Sequence, residues 1–176
     1  MQSLIPAQPS AIQAYFSHSY RADDRNVNLF FWRLFSEHGF FFTVDPKSGR
    51  TFVPHLERML RHSDCFIAVI TRRLELVRSI GSVPLVQPQV IWNYSPYIQL
   101  ENRLACRSSK PRLIFVESGL DANLFGSPEE VHIFDRDILD KREALYSSWV
   151  AEFAETVRDY KRYTDRFLQP TRKAGI

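Results

Sequence analysis

The chain has little cysteine, no long apolar run and no leader-like N-terminus. Cys65 and Cys106 are its only two cysteines. Neither they nor the histidines have metal-ligand spacing, which indicates a reducing, cytoplasmic setting without a bound metal. The longest apolar runs, such as Cys65–Ile70, are far too short to cross a bilayer. No positive region precedes an apolar one at the N-terminus, so we expect neither a secretory signal nor a membrane span.

The motifs of three large enzyme classes are also missing. There is no Gly-x-Gly-x-x-Gly and no Gly-x-x-x-x-Gly-Lys-Ser/Thr, which argues against a Rossmann dinucleotide fold and a P-loop. No Gly-x-Ser-x-Gly surrounds Ser17, which excludes the hydrolase triad of that motif. The net charge of +3 is mild, and its excess near the C-terminus is typical of a solvated basic helix end. We therefore expect no nucleic-acid partner.

What is present fits one globular domain. The 176 residues are 44% hydrophobic and include 14 phenylalanines, which predicts an aromatic-rich core. We divide the chain into an N-terminal extension (1–10), one domain (11–163) and a basic C-terminal tail (164–176).

Strand patterns alternate with helix patterns along this domain. The predicted strands are 12–17, 40–45, 65–71, 112–117 and 131–134. Helices are predicted between them, and the last one spans 140–163. The segment 72–94 is predicted to be long and irregular because it contains Pro84 and Pro88. This alternation predicts an α/β, flavodoxin-like three-layer sandwich with a five-stranded parallel sheet of order 2-1-3-4-5. Ligands of such sheets bind beyond the carboxyl ends of the strands, beside the first strand.

Glu101 is the most informative residue of the sequence. A helical projection places it in the middle of an apolar side, whose other members are Tyr97, Leu100, Leu104 and Ala105. Asn102 is predicted to face elsewhere. A carboxylate drawn out of water is costly unless something pairs with it, so such groups often have a function. The alternative is an edge residue of an amphipathic helix that reaches back to water.

Five segments, in this order, resemble those of a TIR (Toll/interleukin-1 receptor) domain over roughly residues 10–160. They are Tyr15-Phe-Ser-His-Ser-Tyr, Val44-Asp-Pro-Lys-Ser-Gly-Arg, His62-Ser-Asp-Cys-Phe-Ile-Ala-Val-Ile-Thr, Ser95-Pro-Tyr-Ile-Gln-Leu-Glu and Lys110-Pro-Arg-Leu-Ile-Phe-Val. The fourth resembles the family's Ser-x-Trp-x-x-x-Glu segment, with Tyr97 where tryptophan is commoner. The first has Ser-His-Ser-Tyr where Ser-Tyr-Ser is commoner.

The resemblance implies a bacterial-type TIR enzyme that cleaves the nicotinamide–ribose bond of NAD⁺, its substrate, without a cofactor. It places the essential glutamate of the family on Glu101. It also implies an ADP-ribose or cyclic ADP-ribose product and a role in antiphage defence or another immune or cell-death pathway.

Further residues are expected around the substrate. The Tyr97 ring can stack on nicotinamide or adenine. Phosphate, ribose or wall contacts are expected from Ser17, His18, Arg21, Asp45, Lys47, Arg50 and Phe52. Simpler roles stay open for several of them: packing for Tyr97, a backbone hydrogen bond for His18, turn formation for Asp45, and solvation for Lys47 and Arg50.

Leu29 and Trp32 lie one turn apart, opposite the phenylalanine stripe of their predicted helix. Exposed leucine and tryptophan together suggest an interface, either for self-association or for another TIR or effector protein. A cover formed by the basic C-terminal segment explains them equally well.

Two rivals to the NAD⁺-cleaving enzyme remain. Many TIR domains are scaffolds that recruit partners and catalyse nothing, and in such a protein Glu101 is a structural or interface residue. The chain is also similar in outline to nucleoside deoxyribosyltransferases, which place a glutamate near a ribose.

Overall fold

A parallel β-sheet forms the centre of the protein. The computed structural model describes residues 11–43, 53–80 and 83–167. The sheet contains β1 (Ile12–His18), β2 (Phe40–Thr43), β3 (Cys65–Ile70), β6 (Arg112–Glu117) and β7 (Val131–Phe134). Its order is β2-β1-β3-β6-β7, and every neighbouring pair is parallel. Counted within the sheet this is the order 2-1-3-4-5, so the predicted flavodoxin-like α/β sandwich is confirmed.

Four α-helices and a hairpin complete the described structure. The helices are α1 (Arg25–Glu37), α2 (Val53–His62), α3 (Pro96–Arg107) and α4 (Glu143–Phe167), and the hairpin strands are β4 (Arg73–Ile80) and β5 (Val83–Asn93). Short 3₁₀ turns occur at Ala22–Asp24, Ala122–Leu124, Arg136–Ile138 and Asp140–Arg142. In the part of the chain described, no helix combines the length and apolar character needed to cross a membrane.

The helices cover the two faces of the sheet and create two cores. α1 and α4 pack on one face, where Phe16 of β1 contacts a cluster rich in phenylalanine. α2 and α3 pack on the other face, where Tyr15 of β1 joins a cluster that includes Leu56 and Leu104. Because successive strand residues point to opposite faces, Tyr15 and Phe16 belong to different cores.

The ends of the five sheet strands agree with the predicted ones to within two residues. Gly39 belongs to the hydrogen-bonded turn that follows α1. Its φ is 85°, a conformation that glycine adopts without strain. Ser95 precedes Pro96 at the start of α3, and its side chain makes no capping hydrogen bond. α4 begins three residues later than predicted and continues to Phe167. In α4 Tyr146 is buried, whereas the neighbouring Leu145 is exposed.

The prediction of an irregular segment at 72–94 was wrong. β4 and β5 form an antiparallel hairpin in which Leu74 lies opposite Trp92 and Ser79 lies opposite Pro84. Among the described residues the hairpin strands pair only with each other. Proline is tolerated on such an edge strand because the outer side needs no ladder hydrogen bond.

A buried ionic cluster joins the carboxyl ends of the central strands. Glu117, the last residue of β6, is 1% exposed, and its carboxylate binds two arginines. Arg136 donates from Nε to Oε1 at 2.6 Å and from Nη2 to Oε2 at 2.8 Å. The Arg72 backbone N–H donates to Oε2 at 2.8 Å, and its Nε lies 3.2 Å from Oε1. The loops after β3 and β7 are therefore tied to the end of β6.

Asp24 extends the cluster to the loop after β1. Its buried carboxylate accepts from Arg136 Nη2 at 3.0 Å and from Thr71 Oγ1 at 2.9 Å. The hydrogen bond with Glu117 is the main reason that the pKa of Arg136 is raised further above its usual value. Arg72 connects the hairpin to the cluster, because its guanidinium lies 4.4 Å from the centroid of the Trp92 ring.

Glu117→Gln is expected to lower the free energy of unfolding by about 3 kcal/mol, because it leaves two partly buried arginines without their shared counter-charge. Urea denaturation measures the difference. Glu57→Gln, at an exposed position of α2, is the matched control and is expected to change it by less than about 0.5 kcal/mol. Equal stabilities for the two variants would contradict a stabilising role for the cluster.

Candidate active site

Glu101 on α3 is held against the end of β1 by two hydroxyl groups. The Tyr15 hydroxyl donates to Oε1 at 2.9 Å, and the Ser17 hydroxyl donates to Oε2. Both donors are almost fully buried, whereas Glu101 itself is half-buried. The carboxylate is therefore oriented by the protein and still borders solvent.

The alternation of β1 explains why these two hydroxyls reach Glu101. Tyr15 and Ser17 are two residues apart, so they point to the same face of the sheet, the face covered by α3. Ser17 is the penultimate residue of β1, which ends at His18. The carboxylate therefore lies at the carboxyl edge of the sheet beside its first strand, where ligands of this fold class bind.

Asn102, next to Glu101, fixes α3 in position. The prediction that it faces away from the core was wrong: it is buried, and its Nδ2 donates to the Phe125 carbonyl oxygen at 2.8 Å. Arg112 Nη1 donates to Asn102 Oδ1 at 3.1 Å, and Arg112 Nε donates to Glu130 at 3.0 Å. This chain of polar contacts anchors α3 to β6 and to the loop before β7.

Tyr97 lies one turn before Glu101 and is 61% exposed. Simple packing in the core is therefore excluded as its role. Its ring is available to a ligand or to another protein surface. Asp45, Lys47, Arg50 and Phe52, which were predicted to contact substrate from the second loop, lie outside the described residues.

His18 and Arg21 are not brought beside Glu101. His18 points to the α1 face of β1, where its ring contacts Phe16 and Tyr20 with centroid distances of 4.8 and 4.7 Å. Its Nδ1 hydrogen-bonds to the Ser19 carbonyl oxygen at 2.9 Å. Arg21 forms an exposed ion pair with Asp23 at 2.9 Å. Of the predicted residues, the described structure thus joins Ser17 to Glu101 and places His18 on the opposite face.

Leu29 and Trp32 are on the surface of α1, with 55% and 39% of their area exposed. Trp32 also contacts Phe16 and Phe42, with centroid distances of 5.8 and 4.4 Å. The expected apolar pair on this helix face is therefore present, and it is partly seated on the core.

Tyr15 is the site residue that the sequence analysis did not assign. It was quoted in a motif, but nothing local identifies a hydroxyl that reaches a helix 86 residues further along the chain. The useful signal was its spacing of two from Ser17, which places both side chains on one face of a strand. The partners of Asn102, Phe125 and Arg112, belong to other elements of the chain and gave no local signal either.

These features define the protein class as a flavodoxin-like α/β domain with an oriented carboxylate at the switch point of its sheet. Comparison with protein-family models, curated proteins and solved structures gave no match. The class therefore follows from the topology of the chain, and the candidate site follows from its geometry.

The stability of the protein is expected to fall as the pH is lowered from 7.5 to 5.5. Burial lowers the pKa of His18, and the hydrogen bond to Ser19 offsets part of this shift. Burial also lowers the pKa of His132, and the negative charge of Glu152 offsets part of that shift. The unfolded chain thus binds more protons than the folded one below about pH 6.5, and the stabilisation is lost as the pH falls through the folded pKa values.

His18→Phe keeps the aromatic contacts and removes one of these titrations, so it is expected to reduce the pH dependence of the free energy of unfolding. Urea denaturation at several pH values measures it. His62→Phe, at an exposed position, is the control and is expected to retain the full dependence. A steeper dependence in His18→Phe than in the control would show that the sign of the shift is wrong.

Proposed function

We propose that this chain is a TIR-domain NAD⁺ nucleosidase. It cleaves the nicotinamide–ribose bond and releases nicotinamide with ADP-ribose or a cyclic ADP-ribose product. The proposal places it in immune or antiphage signalling, as the resemblance of its five ordered segments implies. The single observation that supports it most is the Glu101 carboxylate, oriented by Tyr15 and Ser17 at the carboxyl edge of β1.

One carboxylate is enough for this chemistry. Ordinary glycosidases need two, because the leaving oxygen must be protonated. In NAD⁺ the nicotinamide nitrogen already carries positive charge, so the electron pair of the broken C1′–N bond leaves with it as a neutral molecule. The positive charge then develops on the ribose, where a fixed carboxylate stabilises it. Water attacks C1′ and loses a proton in hydrolysis, whereas an adenine nitrogen attacks it in cyclisation.

The geometry of Glu101 suits that role. A carboxylate has about four acceptor positions, so one group can hold protein hydroxyls and sugar hydroxyls together. Because Tyr15 and Ser17 belong to a central strand, they fix the carboxylate before substrate arrives, which reduces the reorganisation needed in the transition state. The exposed ring of Tyr97, one turn earlier, is then available to stack on nicotinamide or adenine.

Glu101→Gln is expected to reduce nicotinamide release from NAD⁺ at least about 100-fold, because the neutral amide cannot stabilise the ribosyl cation. Chromatographic quantification of nicotinamide from a concentrated sample measures the rate. Glu57→Gln is the matched control and is expected to keep the wild-type rate. Circular dichroism of both variants is expected to match that of the parent protein. Wild-type turnover in Glu101→Gln would remove Glu101 from the mechanism.

Tyr15→Phe and Ser17→Ala are expected to lower kcat by roughly 10-fold each, with a smaller change in KM, because they loosen the carboxylate without removing it. Initial rates over a range of NAD⁺ concentrations separate the two parameters. Ser148→Ala, which removes an exposed hydroxyl on α4, is the control and is expected to leave both unchanged. If both site variants retain the wild-type kcat, the hydroxyls do not contribute to catalysis.

The exposed apolar side chains favour one second candidate, a non-catalytic TIR scaffold. Leu29 and Trp32 on α1, and Leu74, Ile91 and Trp92 on the hairpin, offer surface to a partner. Under this function wild-type protein releases no nicotinamide even at high concentration. A nucleoside deoxyribosyltransferase instead exchanges bases between nucleosides, so an assay with two nucleosides and no NAD⁺ distinguishes that class.

A further inference from the structure

A groove lies on the α1 side of β1, beyond the strand's carboxyl end. Its volume is about 320 Å³, near the lower end of the range for small-molecule sites. The side chains that matter for its chemistry are those of Tyr20, Arg21, Arg25, Asn28, Leu29 and Trp32.

The groove is separate from the Glu101 site. Phe16 and His18, which line it, point to the α1 face of β1, whereas Tyr15 and Ser17 point to the α3 face and bind Glu101. Strand β1 therefore lies between the two locations. A ligand in the groove is not bound by the proposed catalytic carboxylate.

The charge of the groove is positive. Arg25 is exposed at the start of α1 and forms no ion pair with any described residue. Arg21 is paired with Asp23, but both side chains are largely in solvent, and such pairs are weak and easily rearranged. His18 contributes no charge near neutral pH, because burial lowers its pKa. Two guanidinium groups beside an apolar wall match a ligand with an anionic group and a flat ring.

Asn28 holds the loop after β1 in place at the wall of the groove. Its Nδ2 donates to the Ser19 carbonyl oxygen at 2.6 Å, which fixes the orientation of the amide. Its Oδ1 is buried and has no hydrogen-bond partner among the residues that the structure describes. Because this oxygen is out of reach of solvent, it offers no contact to a molecule in the groove.

We propose that this groove is a second ligand site, which binds a nucleoside monophosphate. The phosphate binds Arg21 and Arg25, and the base packs on the apolar wall formed by Leu29 and Trp32. The volume is large enough for one nucleotide. The site thus recognises a different ligand from the NAD⁺ of the proposed function. Ligand binding in the groove does not depend on Glu101.

The same features disfavour a protein interface at this position. Small-molecule sites are concave and of about this size, whereas a standard protein interface buries about 800 Å² of each partner. Here two arginines border a concave surface of small-molecule size. Leu29 and Trp32 then form the stacking wall of a ligand site.

Isothermal titration of the full chain with AMP tests the proposal. Saturable binding with a Kd below about 1 mM is expected, and adenosine or inorganic phosphate alone is expected to bind at least tenfold more weakly. Arg25→Ala and Leu29→Asn, both at exposed positions, are each expected to weaken AMP binding about tenfold. Arg58→Ala, at an exposed position of α2, is the matched control and is expected to have no effect.

The Glu101→Gln variant separates this site from the proposed active site, and it is expected to bind AMP as tightly as the parent chain. No saturable AMP binding would overturn the proposal. So would AMP binding that depends on Glu101 and is unaffected by Arg25→Ala, since AMP would then occupy the other face of β1. Dimerisation that Leu29→Asn abolishes, without any AMP binding, would overturn it in favour of an interface.

Discussion

The carboxylate of Glu117 is the constraint on which the carboxyl edge of the sheet depends. It is out of water, and such a charge is tolerable only because two arginines bind it with good geometry. Arg72 follows β3 and Arg136 follows β7, and Arg136 also binds Asp24 after β1. One buried charge thus determines how the loops at this edge lie relative to one another. Both proposed sites are built at the end of β1, next to loops that the cluster holds.

The alternation of side chains along β1 places the candidate active site and the groove on opposite faces of the sheet. Tyr15 and Ser17 orient Glu101 on one face, whereas Phe16 and His18 line the groove on the other. Ser17 and His18 were predicted to contact the same substrate, because they are adjacent and lie at the end of the first strand. Adjacent residues of a strand point in opposite directions, so they share an edge without sharing a site.

Most of the fold was predictable because β3 and β6 are short, buried, apolar runs and helix patterns alternate with all five strands of the sheet. The hairpin was not, since prolines at 84 and 88 argue against a strand unless the strand is known to lie at an edge. The side of α3 on which Glu101 lies, facing β1, was predictable from helical periodicity. Its hydroxyl donors, the role of Asn102 and the Glu117 cluster depend on partners distant in the chain, and local patterns carry no information about such pairs.

The distribution of these interactions also indicates what the candidate active site requires from outside. On one side, Glu101 is held by hydroxyl groups of β1, and its helix α3 is anchored through Asn102. The other side begins with Tyr97, whose ring is largely in solvent in the described part of the chain. A carboxylate stabilises a cation that develops on a sugar more strongly when the site is shielded from bulk water. Under the proposed function, assembly with a neighbouring copy would cover the Tyr97 ring, and the side of the site held by β1 would need no further change.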